Sequence, residues 1–229
     1  MAIIQPDSPK LESPFSDHPL FADLDDASQA ALSRAARKRR FGKGEIVFHE
    51  GDEAKGIYLV ESGWLKAVKL SSEGREQILD TLGPGYLVNL QNIFTGSPMV
   101  VSLEALEDCQ LWFIPSEAIS QAIENQPKLA IAIIRLLAER MEYLAAKVED
   151  LSLRSVDARL AKYLLEHQIG GKVERQKWAT QSELAAQIGT VLDVLNRSLK
   201  KFEDQKLIEM GRREIRLIEK VRLEEIAHS

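Results

Sequence analysis

Thiols and imidazoles are scarce in this sequence: Cys109 is the single cysteine, and His18, His49, His167 and His228 are the 4 histidines among 229 residues. One cysteine excludes a disulfide within the chain, an iron–sulfur cluster and a zinc site built from several thiolates. Its setting, "CQLWFI", reads as a small buried strand residue, with an oxidant-sensing thiol as the alternative. Long apolar runs are missing as well. No stretch of about 18 apolar residues exists, and the start "MAIIQPDSPK" lacks the charged beginning and apolar stretch of a signal peptide, so the expectation is a cytoplasmic chain with no membrane partner. Positive charge is in deficit, with a net charge of −5. From Asp150 onward there are 15 Lys and Arg against 13 Asp and Glu, which leaves 15 against 22 before it. Such a chain cannot bind nucleic acid as a bulk polycation; any such contact has to be local and geometric, and the second half is where to look for it.

What is present suggests more than one core, since the chain exceeds a typical single domain. After a Pro/Ser-rich leader to about Pro14, "PLFADLDDASQAALSRAA" reads as a short helix beginning near Asp25 or Asp26, whose carboxylates suit a helix N-terminus. From Arg37 to Pro115 the apolar period becomes two. "EIVFHE", "IYLVES", "WLKAVKL", "EQILDTL", "VVSLEAL" and "QLWFI" are separated by glycine-bearing turns, the pattern of an antiparallel barrel or jelly roll.

A long helix is expected over Pro127 to Leu153. Ile134, Leu137, Met141, Leu144, Val148 and Leu151 recur at intervals of three and four and form one apolar seam, with the charged residues lying off it. The seam can pack on its own barrel or pair in parallel with a second copy; its narrow, strict spacing favours the homodimer. Ser152 to Ser155 interrupts the pattern, and a new helix with Asp157 as its cap begins there.

Further on stands "TQSELAAQIGTVLDVLNRSLKKFE". Thr180 and Glu183 form a capping box, and Gly189 supplies the positive φ of a tight turn between two helices. On the second helix Leu195, Leu199 and Phe202 belong to the core, which turns Leu192, Asp193, Asn196, Arg197 and Lys200 outward along one strip. That strip has the width of a helix entering the DNA major groove, where Arg meets guanine, Asn meets adenine and a carboxylate accepts from cytosine. Thr180, Gln181 and Ser182 at the start of the first helix join it as contact candidates. Two short strands around Gly211 carry Arg212 and Arg213 at their tip, suited to phosphates, and a last helix runs through Ile226. The fold class is therefore α+β: an N-terminal antiparallel β-roll over 15–126, a long dimerisation helix over 127–153 and a winged helix-turn-helix over 154–229.

The order of these parts, with "GEIVFHEGDEAKGIYLVESGWLKA" and "TQSELAAQIGTVLDVLNRSLKKFEDQKLI", resembles the CRP/FNR family of bacterial transcription regulators from about His18 to Ile226. The resemblance implies a cyclic-nucleotide-binding-like sensor roll, a DNA-binding homodimer and a contact with RNA polymerase. It leaves the choice of activator or repressor open. The family's cyclic-nucleotide binders carry a Glu for the ribose and an Arg for the cyclic phosphate. Here Leu87, Val88 and Asn89 stand at the first place and Met99 and Val100 at the second. A phosphate there would lose water without gaining a charged partner, which disfavours cyclic AMP. The expected pocket is Tyr86, Leu87, Val88, Asn89, Met99, Val100 and Val101 with Leu144 across from them, suited to an uncharged effector or to haem held by one of the histidines. Within the recognition strip Arg197 matches the family and Asp193 is one methylene shorter than the usual Glu. Two other readings stay open: a member that acts without ligand, regulated by abundance, and a protein-docking module that leaves DNA alone. A metal enzyme on a similar roll needs a His-x-His pair, and the roll offers only His49-Glu50.

Overall fold

The computed structural model describes residues 15–16, 18–70, 76–174 and 180–228. The Pro/Ser-rich leader, the turn "SSEG" and the end of "IGGKVERQKWA" lie outside the described residues. Helix α1 (Asp26–Ala35) starts where Asp25 accepts from the Ser28 amide at 2.7 Å. Eight strands follow: β1 (Arg37–Phe41), β2 (Ile46–Phe48), β3 (Gly56–Ser62), β4 (Leu65–Leu70), β5 (Glu76–Leu82), β6 (Leu87–Val88), β7 (Ser102–Ala105) and β8 (Cys109–Pro115). A short helix α2 (Asn92–Thr95) sits between β6 and β7. The strands form two four-stranded antiparallel sheets, ordered β1-β8-β3-β6 and β2-β7-β4-β5.

Alternation along β3 defines two cores. Tyr58 and Val60 pack between the sheets with Leu65, Leu103 and Leu111, while Ile57 and Leu59 pack outward against α1 and the helices that follow the roll. A strand buried on both faces has no polar side, which is why "IYLV" is continuous apolar sequence.

After the roll come α3 (Ser116–Asn125) and the 26-residue α4 (Lys128–Leu153). Leu129 and Ile133 root α4 in the outer core of the roll. At Arg154 the helix ends, and α5 (Val156–Glu166) begins with the Ser155 hydroxyl accepting from the Ala158 amide at 3.1 Å. Ser155, not Asp157, is therefore the cap. Asp157 lies two residues past the cap, in the first turn, and its carboxylate instead receives Lys201 at 2.5 Å. The C-terminal unit continues with β9 (Lys172–Glu174), α6 (Gln181–Gln187), α7 (Leu192–Asp204), β10 (Ile208–Met210), β11 (Glu214–Leu217) and α8 (Lys220–Ala227). Its sheet runs β10-β11-β9, and its own core gathers Leu160, Leu164, Leu184, Leu195, Leu199, Phe202, Ile215 and Leu223.

Candidate nucleic-acid interface

The helix pair is held by local chemistry. Thr180 Oγ1 accepts from the Glu183 amide at 3.2 Å and the Glu183 carboxylate receives the Thr180 amide, so both ends of the capping box are made. Gly189 turns the chain between α6 and α7 at φ +69°. A Cβ there would fall 2.1 Å from Leu151 Cδ2, so the turn is also where the end of α4 rests against the winged unit. Gly189→Ala is expected to lower stability by about 2 kcal/mol, from left-handed backbone strain plus the clash. A urea melt indistinguishable from that of the parent would contradict this.

On α7, Leu195, Leu199 and Phe202 are buried, as is Ser198, which the sequence reading passes over. Ser198 and Lys201 both reach Asp157 on α5, and this pins the back of α7. Lys201 is thereby held toward α5 by its ion pair with Asp157. Asp193, Asn196, Arg197 and Lys200 remain exposed, with Leu192 37% exposed beside them. Arg197 has only a long bond, Nε to the Asp193 carbonyl at 3.4 Å. Arg212 and Arg213 stand exposed at the tip between β10 and β11. Among the described residues, none of Arg197, Lys200, Arg212 and Arg213 has a carboxylate within 4.0 Å. Cations kept free of ion pairs on one recognition helix and a neighbouring hairpin tip are available for base edges and phosphates. At the start of α6, Thr180 and Ser182 are exposed and Gln181 is partly buried.

The seam of α4 is largely bare. Ile134, Met141, Leu144 and Val148 are each more than 55% exposed, and Ile131, one step earlier, extends the row. Leu137 differs, since it is half-buried against the outer core of the roll, and Leu151 shares its surface with the Gly189 turn. A contiguous apolar row of this kind left open to water is uncommon on a free surface.

Of the residues expected to line one effector pocket, Tyr86, Val88, Met99 and Val101 gather in the core between the sheets, and Leu87, Asn89, Val100 and Leu144 lie elsewhere. Val88 and Met99 pack in the core between the sheets, Val101 packs partly against it, and Leu87 joins the outer core. Val100 is 53% exposed, Leu144 faces away on α4, and Asn89 is a buried turn residue at φ +67°. Val88 and Met99 thus serve as core side chains of the roll beside Tyr58, Leu65 and Leu111. What exists beside the roll is a cavity of about 380 Å³ against α4, where Tyr86 and Leu87 meet Leu136, Arg140 and Tyr143. Arg140 lies 4.0 Å over the Tyr86 ring and donates to the Leu87 carbonyl at 2.6 Å. Burial raises the Tyr86 hydroxyl's pKa despite that guanidinium, and Tyr143 is pushed up to about 12 chiefly by burial. His18 borders this cavity with both ring nitrogens engaged: one meets the Gly85 carbonyl at 3.0 Å and the other accepts from the Leu20 amide at 3.1 Å. Desolvation lowers its pKa. A haem here finds no histidine nitrogen free to ligate its iron.

A family model for the cyclic nucleotide-binding domain matches residues 38–126, and one for the Crp-like helix-turn-helix domain matches residues 158–226. The chain is 25% identical over 210 residues to the "CRP-like cAMP-activated global transcriptional regulator" of Mycobacterium tuberculosis, covering 89% of this chain and 94% of that protein. It is 26% identical to "Transcriptional activator protein Anr" of Pseudomonas protegens, covering 90% and 86% respectively. The structure of FixK2 from Bradyrhizobium japonicum shares the fold with a TM-score of 0.72 at 21% identity, over 83% of this chain and 96% of that one.

Proposed function

The chain belongs to the CRP/FNR family of transcription regulators and carries its DNA-binding helix-turn-helix, and from that premise we propose that it reads duplex DNA as a homodimer. In this reading residues 15–126 are the sensor, 127–153 the dimerisation helix and 154–229 the DNA-binding unit. The observation that carries it is the exposed strip Asp193, Asn196, Arg197 and Lys200 on α7, whose two cations have no ion pair among the described residues. Two such helices about a two-fold axis meet half-sites about one helical turn, roughly 34 Å, apart. The tip residues Arg212 and Arg213 take phosphates. Regulators of this family act as dimers, and the bare seam of α4 supplies the apolar surface for it. RNA polymerase is the partner that a regulator of this class engages once bound, in the cytoplasm.

For the sensor we infer an uncharged effector. One relative is named for activation by cAMP, but in this chain the cavity beside the roll offers a phosphate a single cation, Arg140, already engaged by Tyr86 and the Leu87 carbonyl. The haem alternative loses support because His18 is doubly bonded.

The test is selection of genomic fragments with the purified protein, followed by anisotropy titration of a selected duplex across salt concentrations. Phosphate contacts release counterions, so log affinity is expected to fall linearly with log salt, by about 0.9 per phosphate met. Cyclic AMP is expected to leave the curve unmoved. A salt-independent affinity means a docking module, and stimulation by cyclic AMP overturns the effector reading.

A further inference from the structure

A cavity larger than the one beside the roll lies between the roll and the winged unit. It encloses about 760 Å³, within the range of small-molecule sites. Trp64 and the end of β5 form one side, Tyr143 on α4 the second, Arg159, Tyr163 and His167 on α5 the third, and Gln187 and Ile188 of the helix pair the fourth. The two units also touch directly, where Gln187 Nε2 donates to Thr81 Oγ1 at 3.1 Å.

The lysines that border this cavity are each paired with a carboxylate. Lys147 faces Asp80 at 3.9 Å, Lys162 is paired with Asp150, and Lys172 lies 3.5 Å from Glu214. Arg159 differs from them. Its Nε is buried without a hydrogen-bond partner, and among the described residues no carboxylate lies within 4.0 Å of its guanidinium. Asp150 is the carboxylate whose charge reaches it, yet both Asp150 oxygens are already taken, by Arg154 at 2.8 Å and by Lys162. A buried Nε–H without an acceptor is costly to keep, and the fork of a guanidinium suits a planar two-oxygen acceptor. The neighbouring surfaces are flat: Trp64, Tyr143, and the Tyr163–His167 stack with centroids 4.1 Å apart. Glu166 and Glu174 also border the space, which disfavours a dianion such as a phosphate monoester and favours a single negative charge.

We propose that this cavity is a ligand site for a small aromatic carboxylate, with Arg159 receiving the carboxylate and Trp64, Tyr143 and Tyr163 flanking the ring. Because its walls come from both units, an occupant holds α6 against β5 and favours this arrangement over any in which the winged unit swings free.

The test is calorimetry on the full chain with naphthoate, with its neutral analogue naphthamide, and with naphthoate on Arg159→Gln. Naphthoate is expected to saturate a single site, and both the amide and the variant to bind on the order of tenfold more weakly, the usual worth of a charge-assisted pair. If Arg159→Gln does not fold, the Arg159 Nε–H resonance of the unaltered protein is followed instead and is expected to move during the titration. No saturable binding of naphthoate at millimolar concentration, equal binding of acid and amide, or a stationary Arg159 signal overturns the proposal. No DNA enters this experiment, so its failure leaves the reading of α7 untouched.

Discussion

Arg197→Ala is expected to keep its fold and assembly while losing discrimination between its operator and unrelated duplex. The side chain is exposed on α7 and has no partner beyond its own helix carbonyl at 3.4 Å, so its removal opens no cavity and strands no charge. What is lost is the bidentate contact that an Arg makes to a guanine edge, about 1–3 kcal/mol per half-site, or roughly 2–6 kcal/mol over a symmetric operator. Arg213→Ala provides the contrast. A phosphate contact carries no sequence information, so its loss weakens binding to all duplexes alike and flattens the salt slope by about 1 per contact. Competition gel shifts between a selected and a scrambled duplex separate the two effects. If Arg197→Ala retains the parent's preference, α7 is not the reading element.

Where sequence and structure agree, the signal is local. The capping box needs only Thr180 and Glu183 three residues apart, and the turn needs only that Gly189 can take a positive φ, so both are legible without knowing the fold. The same holds for Leu195, Leu199 and Phe202, whose spacing alone puts them on one face. Disagreement begins where a distant partner decides. Strand β1 is "RKRRF", with no apolar alternation, and it exists because β8 pairs with it along its whole length. Lys201 has the spacing of an outward residue but is drawn back by Asp157, 44 positions earlier in the chain. Ser155 displaces Asp157 as a cap because α5 starts two residues sooner than the apolar pattern suggests.

The effector region illustrates the same limit. Tyr86 to Val101 is apolar enough to line a pocket, but apolar residues fill a core equally well, and which they do depends on how closely the two sheets approach. Val88 and Met99 are consumed by that approach. The cavity between the units has no contiguous signature at all, since Trp64 comes from the turn between β3 and β4 and Tyr143, Arg159 and Gln187 from three different helices. Arg159 in particular reads as an ordinary surface cation of α5 until its buried, unpartnered Nε is located.

Leu144→Asp is expected to convert the protein to a monomer. Leu144 is 57% exposed in the single chain and lies between Met141 and Val148, which are 68% and 63% exposed, at the centre of the bare row on α4. In a parallel pair each chain presents the same position to the other, so one substitution buries two carboxylates against each other in an apolar interface. An uncompensated buried charge costs about 3–5 kcal/mol, enough to raise the dimer dissociation constant several hundredfold or more. The position contacts neither core of the roll, so the helical signal and the thermal midpoint of the separated chain are expected to stay near those of the parent at equal dilution. Leu137 would be a poorer test, because it is half-buried against the roll and its replacement confuses folding with assembly. Loss of the dimer also removes one of two linked half-site contacts, so affinity for a palindromic duplex falls toward that for a single half-site. Sedimentation velocity decides the matter: an intact dimer of Leu144→Asp means that the α4 seam is not the interface, and the two winged units must then be brought to DNA by another surface.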